Sequence, residues 1–384
     1  MRSFHIRETE KLPEEKDRRS KICRFLKNIY PVAACIQTIS FSQNEDITIA
    51  KSSQKPLKAM VIADTHILGS REGHWFDKIR REWQMQRIFQ TSMSIHSPDV
   101  VFVLGDLFDE GKWCSDKEFQ YHVDRFRRMF RHSKDVAFHV VVGNHDVGFH
   151  YDMTVHKHDR FQKAFNAPSV RMQQISDSVF VFINSMAMEG DNCNLCADAV
   201  RRMNKISQTL KCWQGAEEYS RENCKDIELS PYSRPVILQH FPMYRSSDIN
   251  CSTPDAAPEP RKSVPFRENF DCLSRRSTKK IFKLLNPRLI LSGHTHHGCY
   301  KVHENGTPEW TVSSLSWRNK VSPTFLLVVI TSNNFAVHQC EAPNERTVIY
   351  MYIIGAVLSF FSLFLPRTGT RRMAGWSVSV NKKS

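Results

Sequence analysis

VAFHVVVGNHD, residues 136–146, opens as an apolar run rich in valine and stops abruptly at Gly143-Asn144-His145-Asp146. A run of this length reads as a strand covered on both faces, as in α/β sheets. The cluster behind it offers oxygen and imidazole donors at a carboxyl strand end, the rim where such sheets bind ligands. The same event recurs along the chain. Residues 59–66 (AMVIADTH) end in Asp64-Thr65-His66, and 100–106 (VVFVLGD) in Gly105-Asp106, with Asp109 close behind. Residues 236–241 (VILQHF) end in Gln239-His240, and 289–296 (LILSGHTH) in Gly293-His294-Thr295-His296. Runs at 179–183 and 325–330 complete the strand set. Segments 75–96, 117–131 and 277–285 read as helices, the first closed by Ser97-Pro98 and the last by Asn286-Pro287.

Each cluster alone has an ordinary explanation: an Asp that caps a turn, a His satisfied in a core, a Gly-Asp or Gly-Asn turn. Five of them at successive strand ends form an O/N donor set suited to hard-to-borderline divalent metals. In the Asp-x-His and His-x-His pairs, residues two apart at a strand end can face one pocket. The glycines allow the backbone to pass close to ions and substrate.

These elements resemble, position by position, the calcineurin-like metallophosphoesterase family. The resemblance implies an α/β fold, a four-layer αββα sandwich of two mixed sheets between helices. It implies two divalent ions: Asp64, His66 and His296 on one, Asn144, His240 and His294 on the other, and Asp106 between them. His145 would approach the scissile phosphate as acid or charge stabiliser, with Asp146 supporting it. Two ions ~3.5–4 Å apart activate a water and clamp the phosphate for in-line attack, so no nucleophilic Ser or Cys is expected. Protein Ser/Thr phosphatases of this family carry Arg and Glu where this chain has Glu110 and Asp146, which argues against a phosphoprotein substrate.

Longer stretches narrow the resemblance. GHWFDKIRREWQMQRIFQ (73–90), GDLFDEGKW (105–113), GNHDVGFHY (143–151), QHFPMYRSSD (239–248) and SWRN (316–319) are similar to members of the family that remove ethanolamine phosphate from GPI anchors. This implies manganese-dependent cleavage at the second mannose, with zinc or iron as metals the same donors accept. It also implies GPI-anchored proteins as substrates and residence at ER exit sites, the intermediate compartment and cis-Golgi. The catalytic domain would be lumenal, and the tail would meet the COPI coat or cargo receptors. Arg245, Tyr244, Trp317 and Arg318 are candidates for the substrate pocket, Arg245 foremost because a guanidinium matches phosphate geometry. His74, Trp75, His150 and Tyr151 are weaker candidates, and for Trp75 core packing is the favoured reading.

Charge and hydropathy set the organisation. The formal net charge is +14, but residues 1–60 hold 12 basic against 7 acidic side chains, and the tail after Pro366 is basic without an acid. The centre is only mildly basic, without the aromatic-interleaved stripe of a nucleic-acid binder. Residues 347–365 (TVIYMYIIGAVLSFFSLFL) carry no charge and match the ~20 apolar residues a bilayer core requires. The expected domains are therefore an atypical basic segment at 1–56, disordered; a catalytic domain at 57–343; a transmembrane helix at 347–365; and a basic tail at 366–384. Acids before the span and Arg367, Arg371 and Arg372 after it place the tail in the cytosol. Eleven cysteines and the sequons at Asn250 and Asn305 suit an oxidising compartment. Cys193, Cys196, Cys212 and Cys224 are expected to form two disulfides, all three pairings open. Residues 29–41 are too short and broken for a signal peptide or a span, and without either the C-terminal helix would act as a tail anchor and leave the body in the cytosol. Two rival functions share the fold: another membrane-tethered phosphodiesterase, and a non-catalytic scaffold, which would lack catalytic histidines that are all present here.

Overall fold

The computed structural model describes residues 56–188, 193–215, 224–228 and 230–364. The expected disordered segment, apart from its last residue, and the basic tail lie outside them. The chain forms two units, one ending at Asn344 and one beginning at Glu345. In chain order the first contains β1 (Leu57–Ile62), α1 (Trp75–His96), β2 (Val100–Leu104), α2 (Asp116–Met129), β3 (Ala137–Val141), α3 (Asn144–Val147), α4 (Val155–Phe165), β4 (Val170–Ile175) and β5 (Ser178–Ile183). It continues with α5 (Asn194–Gln214), β6 (Val236–Gln239), α6 (Arg275–Leu285), β7 (Leu289–Ser292), β8 (Cys299–Val302), β9 (Pro308–Thr311), β10 (Thr324–Ile330) and β11 (Phe335–Glu341). The second unit contains α7 (Glu345–Phe364), long and apolar enough to cross a membrane.

Two mixed sheets are built, ordered β11-β10-β1-β2-β3 and β4-β5-β6-β7-β9-β8. Side-chain alternation along the strands creates the layers. Ala59, Val61, Phe102 and Leu104 of the first sheet join Phe180, Phe182, Leu238 and Leu291 of the second in one core between the sheets. Their alternates, such as Met60, Ile62, Val101, Ile237 and Ile290, pack with Phe89, Phe126, Met203 and Ile281 of the helices. The result is the four-layer αββα sandwich. β1, β2 and β3 run parallel, as do β5, β6, β7 and β9, so their carboxyl ends gather on one rim in each sheet.

The strands that the apolar runs do not announce are mostly edges. β4, β8 and β11 border the sheets, and one flank of each pairs with no strand among the described residues. They therefore carry mixed sequences such as VRMQQI and CYKV. β9 is interior but starts on Pro308, a position where a missing N–H is tolerated. Residues 194–214, which no apolar run announces, form the long helix α5, which buries Ala199, Met203, Ile206 and Leu210. Of the three disulfide pairings left open, Cys212–Cys224 is present. A second disulfide, Cys251–Cys299, ties the loop after β6 to the start of β8. Asn250 and Asn305, the two sequon asparagines, are exposed.

Candidate metal centre

The strand-end clusters converge. Asp64, His66, Asp106 and His296 form one donor group and Asp106, His240 and His294 another, the donor atoms of each group within 4.8 Å of one another. Asp106 belongs to both. Its Oδ2 lies 3.5 Å from Nε2 of His66 and 3.2 Å from Nε2 of His240. Asn144 presents its Oδ1 3.0 Å from the same His240 nitrogen. His294 Nδ1 is 3.2 Å from it, and the Nε2 atoms of His66 and His296 face each other at 3.0 Å. The centre lies at the seam of the sandwich: Asp64, Asp106 and Asn144 follow strands of the first sheet, and His240, His294 and His296 follow strands of the second.

The i, i+2 pairs meet by a route other than strand alternation. Asp64 and His66 have φ of 53° and 43°, Asp106 49°, and His294 and His296 76° and 61°. Left-handed backbone is rare for residues with a Cβ and concentrates at functional sites, where the surrounding structure holds it in place. In each turn the first left-handed residue, Asp64, Asp106 or His294, stands two positions past its strand end. They need close backbone neighbours. A Cβ on Gly143 would sit 2.2 Å from Asp106 Oδ1, and one on Gly105, itself at φ 88°, would sit 2.7 Å from the His240 ring.

Supporting groups fix each donor. His240 Nδ1–H donates to the Leu104 carbonyl (2.7 Å) and His294 Nε2–H to that of Phe270 (2.7 Å), so each ring turns its other nitrogen inward. His66 Nδ1 is bonded to the Asp109 carboxylate at 3.0 Å. The fully buried Asp146 carboxylate accepts from the N–H groups of Leu107, Phe108 and Gly143, tying the turn after β2 to the turn after β3. It supports the backbone under His145 and belongs to neither donor group.

The residues fit a pair of cations. Imidazole nitrogens 3.0 Å apart, with carboxylates crowded against them, converge as ligands do, and the buried Asp64 Oδ1 has no hydrogen-bond partner. Such an orphaned oxygen is costly unless a cation or proton meets it. The electrostatics agree. Burial pushes the Asp64 carboxyl up to about 7, opposed by His240. For His240 burial pulls down, but the Asp106 carboxylate, joined by Asp64 and the Leu104 carbonyl, lifts the imidazole to about 9. These are the shifts of anionic donors short of positive charge.

Beside the centre, His145 keeps its backbone N–H on Asp106 Oδ1 (2.8 Å) and its Nδ1 on the Asp109 carbonyl (3.0 Å). Its ring meets that of His66 edge-on, centroids 4.8 Å apart, and is partly exposed. Burial holds its imidazole below the usual range, with Asp106 opposing. Lys112, absent from the residues singled out from sequence, stands nearby: its N–H donates to the His145 carbonyl, and its ammonium lies over the rings of Trp113 and Phe149. Phe149 stacks between Tyr151 (5.8 Å, 5°) and Phe270 (4.5 Å, 8°), while Phe241 touches His294 at 4.3 Å. Tyr151, 80% exposed, ends this aromatic ladder at the rim. Their signal in the sequence was adjacency: all lie within nine residues of a ligand or on a segment that contacts one.

The four pocket candidates separate. Arg318 reaches the periphery of the centre, its guanidinium 2.8 Å from Asp109 Oδ2 and 3.3 Å from Glu72. Arg245 does not: it is 2% exposed and donates to Asp248 and Thr311, both at 2.8 Å. A guanidinium so enclosed is a structural ion pair, and the phosphate role expected for it does not fit this geometry. Tyr244 lies under Arg275, whose guanidinium is 4.5 Å from its ring and bonds its hydroxyl. Trp317 is buried, its indole N–H on the Pro343 carbonyl. Trp75, expected in the core, is 64% exposed on the outer face of α1. Glu110 accepts the N–H groups of Arg71 and Glu72, so it braces the loop that leads into α1.

Comparison with known proteins agrees with this chemistry. Residues 57–298 match the family described as calcineurin-like phosphoesterase. Metallophosphoesterase 1 of Mus musculus is 48% identical over 313 residues, 81% of this chain and 78% of that protein. The protein of the same name from Gallus gallus is 45% identical over 81% and 79%. That from Rattus norvegicus is 46% identical over 85% and 82%. A match over most of the catalytic unit, together with donors gathered at one seam, makes this chain a hydrolase of phosphoric esters that belongs to the calcineurin-like metallophosphoesterase family.

Proposed function

We propose that the chain is a membrane-anchored phosphodiesterase that releases ethanolamine phosphate from the second mannose of GPI anchors. Its substrates would be GPI-anchored proteins in ER-to-Golgi membranes, with the catalytic unit lumenal and the tail at 366–384 cytosolic, in reach of the COPI coat or cargo receptors. The observation that carries the reading is the union of a two-group metal centre with an apolar helix starting at Glu345, directly after the catalytic unit. A tether confines enzyme and lipid-linked glycan to one surface and raises their effective concentration. The ladder of half-buried Phe149 and Phe270, ending in exposed Tyr151, adds flat apolar faces suited to a sugar ring beside the His294 side of the centre.

Asp64, His66, Asp106 and His296 would hold one ion and Asp106, Asn144, His240 and His294 the other, with manganese proposed for both. When bound, the ions supply an activated water and Lewis-acid polarisation of the phosphate. The chain supplies the rest. In its imidazolium form the His145 ring would keep Nδ1–H on the Asp109 carbonyl and carry a second proton on Nε2 to hand to the departing mannose oxygen. Lys112 adds positive charge on the same side. The test is release of ethanolamine phosphate from a GPI glycan by the manganese-loaded full chain, beside hydrolysis of bis(p-nitrophenyl) phosphate. Both activities support the reading. Cleavage of the generic diester alone would remove the GPI substrate and keep the chemistry, and silence on both would favour a scaffold.

A further inference from the structure

A helix on a domain surface ordinarily buries one face and shows polar side chains on the other. α1 does not. Its inner face buries Met85, Ile88 and Phe89, while its outer face exposes Trp75, Phe76 and Ile79 by 64, 55 and 62%. At 3.6 residues per turn these three and the half-buried Trp83 fall within an arc of about 100°. The acids of this half of the helix are already neutralised, Asp77 by Arg80 and Glu82 by Arg125, while Lys78 and Arg87 flank the patch on either side. Tryptophan and other apolar side chains ringed by lysine and arginine are the composition of a contact with the polar–apolar boundary of a bilayer.

The position of α1 favours the same partner. Gln84 donates to the Leu315 carbonyl at 2.9 Å and accepts the Trp317 N–H at 3.3 Å. The Trp317 indole donates at 3.2 Å to Pro343, two residues before the apolar helix begins. The end of the catalytic unit is thus tied to α1. Ile79 and Trp75 lie five and nine residues back from Gln84, about 7 and 14 Å along the helix axis. Three residues before Trp75, Glu72 holds Arg318, which in turn holds Asp109 beside His66 and His145.

We propose that the outer face of α1 is a second membrane contact, a phospholipid interface being its occupant, and that it seats the catalytic unit on the bilayer with the rim of the metal centre turned toward lipid-borne substrate. The proposal rests on the reading of α7 as a membrane anchor. Flotation of the full chain with phosphatidylcholine–phosphatidylserine vesicles tests that anchor separately.

The contact itself is tested in the same vesicles made with brominated phosphatidylcholine, a short-range quencher of tryptophan. The expected result is quenching in the parent that is reduced in Trp75→Phe, whatever the enzyme's substrate proves to be. A second arm uses Phe76→Ser/Ile79→Ser. Hydrolysis of a phosphodiester carried on a lipid in the vesicle should fall about tenfold, as two apolar side chains lose their burial, while soluble bis(p-nitrophenyl) phosphate turns over within about twofold of the parent. Emission from Trp75 indifferent to brominated lipid would overturn the proposal, including the case in which a second copy of the chain covers the patch. An equal loss on both substrates would also overturn it, since that is damage to the fold.

Discussion

Two buried polar clusters sit beside one another in this molecule, and they differ in whether they close on themselves. The first surrounds Arg245. Its guanidinium binds Asp248 and Thr311, Thr311 meets Ser292 at 3.2 Å, Ser292 donates to Glu309, and Glu309 also accepts the Met243 N–H and pairs with His303 at 2.8 Å. Against the pull of burial, His303 and Arg245 hold the Glu309 carboxyl below its usual range. One donor, Arg245 Nη2, is left over. The second cluster, the metal centre, collects lone pairs without matching hydrogens: facing imidazole nitrogens, a shared Asp106 and an orphaned Asp64 oxygen. A cluster that satisfies itself holds a fold together. One that leaves converging acceptors calls for a cation, and that difference separates the two more cleanly than residue type.

The largest expected effect tests the open cluster. Asp106→Asn removes the only carboxylate common to both donor groups, so activity should fall on the order of 10³-fold, a few kcal/mol at 1.36 kcal/mol per decade. Manganese should raise the Tm of the parent, by about 2.7 kcal/mol of stability at a hundred times Kd, and raise that of the variant much less. A variant that binds manganese as the parent does and keeps its rate would break the comparison, because the centre would then not depend on its shared ligand.

His145→Gln comes next. This residue faces the centre without belonging to either donor group, so the variant should keep its metal-induced Tm shift while losing about 10²–10⁴-fold in kcat. Loss of the shift would move His145 from chemistry to metal binding.

Arg245→Ala addresses the closed cluster. Breaking one side of a buried pair leaves Asp248 uncompensated, and the expected loss of stability is about 3–5 kcal/mol. Folded variant, assayed below its lowered Tm, should turn over bis(p-nitrophenyl) phosphate with kcat and KM within about threefold of the parent. A raised KM at unchanged Tm would restore Arg245 to the substrate pocket.

What was legible in the sequence follows the same division. The metal donors stood out because each sits directly behind a buried apolar run, where no packing role explains a carboxylate or an imidazole; Asp64, Asp106 and Asn144 are such cases. Arg245 occupies an equally suggestive place, five residues past His240, but no pattern of residue types reveals that Asp248 and Thr311 enclose it. Those partners come from a loop and from β9, a strand whose PEWT sequence gives no periodic signal. The left-handed turns at five donors were invisible for a related reason: the residues there are not glycine, so the strain is held by neighbours such as Gly143 and the Asp146 carboxylate. Trp75 misled in the opposite direction, since an apolar aromatic reads as core until the second face of its helix is seen to be filled by Met85, Ile88 and Phe89.

The smallest effect concerns histidines outside both clusters. His139, on β3, stacks against Phe102, and among the described residues its polar neighbour is Arg171, with no carboxylate beside it. Burial, helped by Arg171, lowers its imidazole to about 4, whereas His240 among carboxylates is raised. The folded state therefore keeps His139 neutral at a pH where the unfolded chain, with an ordinary value near 6.5, takes up a proton. Its contribution to stability is complete above about 6.5 and is lost as pH falls toward about 4. Between pH 7 and 5 the Tm of the parent should drop, and about 2–4 °C of that drop should be missing in His139→Gln. Equal pH slopes in parent and variant would mean that His139 takes up its proton in the fold as readily as in the open chain. The contrast between carboxylate-lined and carboxylate-free histidines would then rest on the metal centre alone.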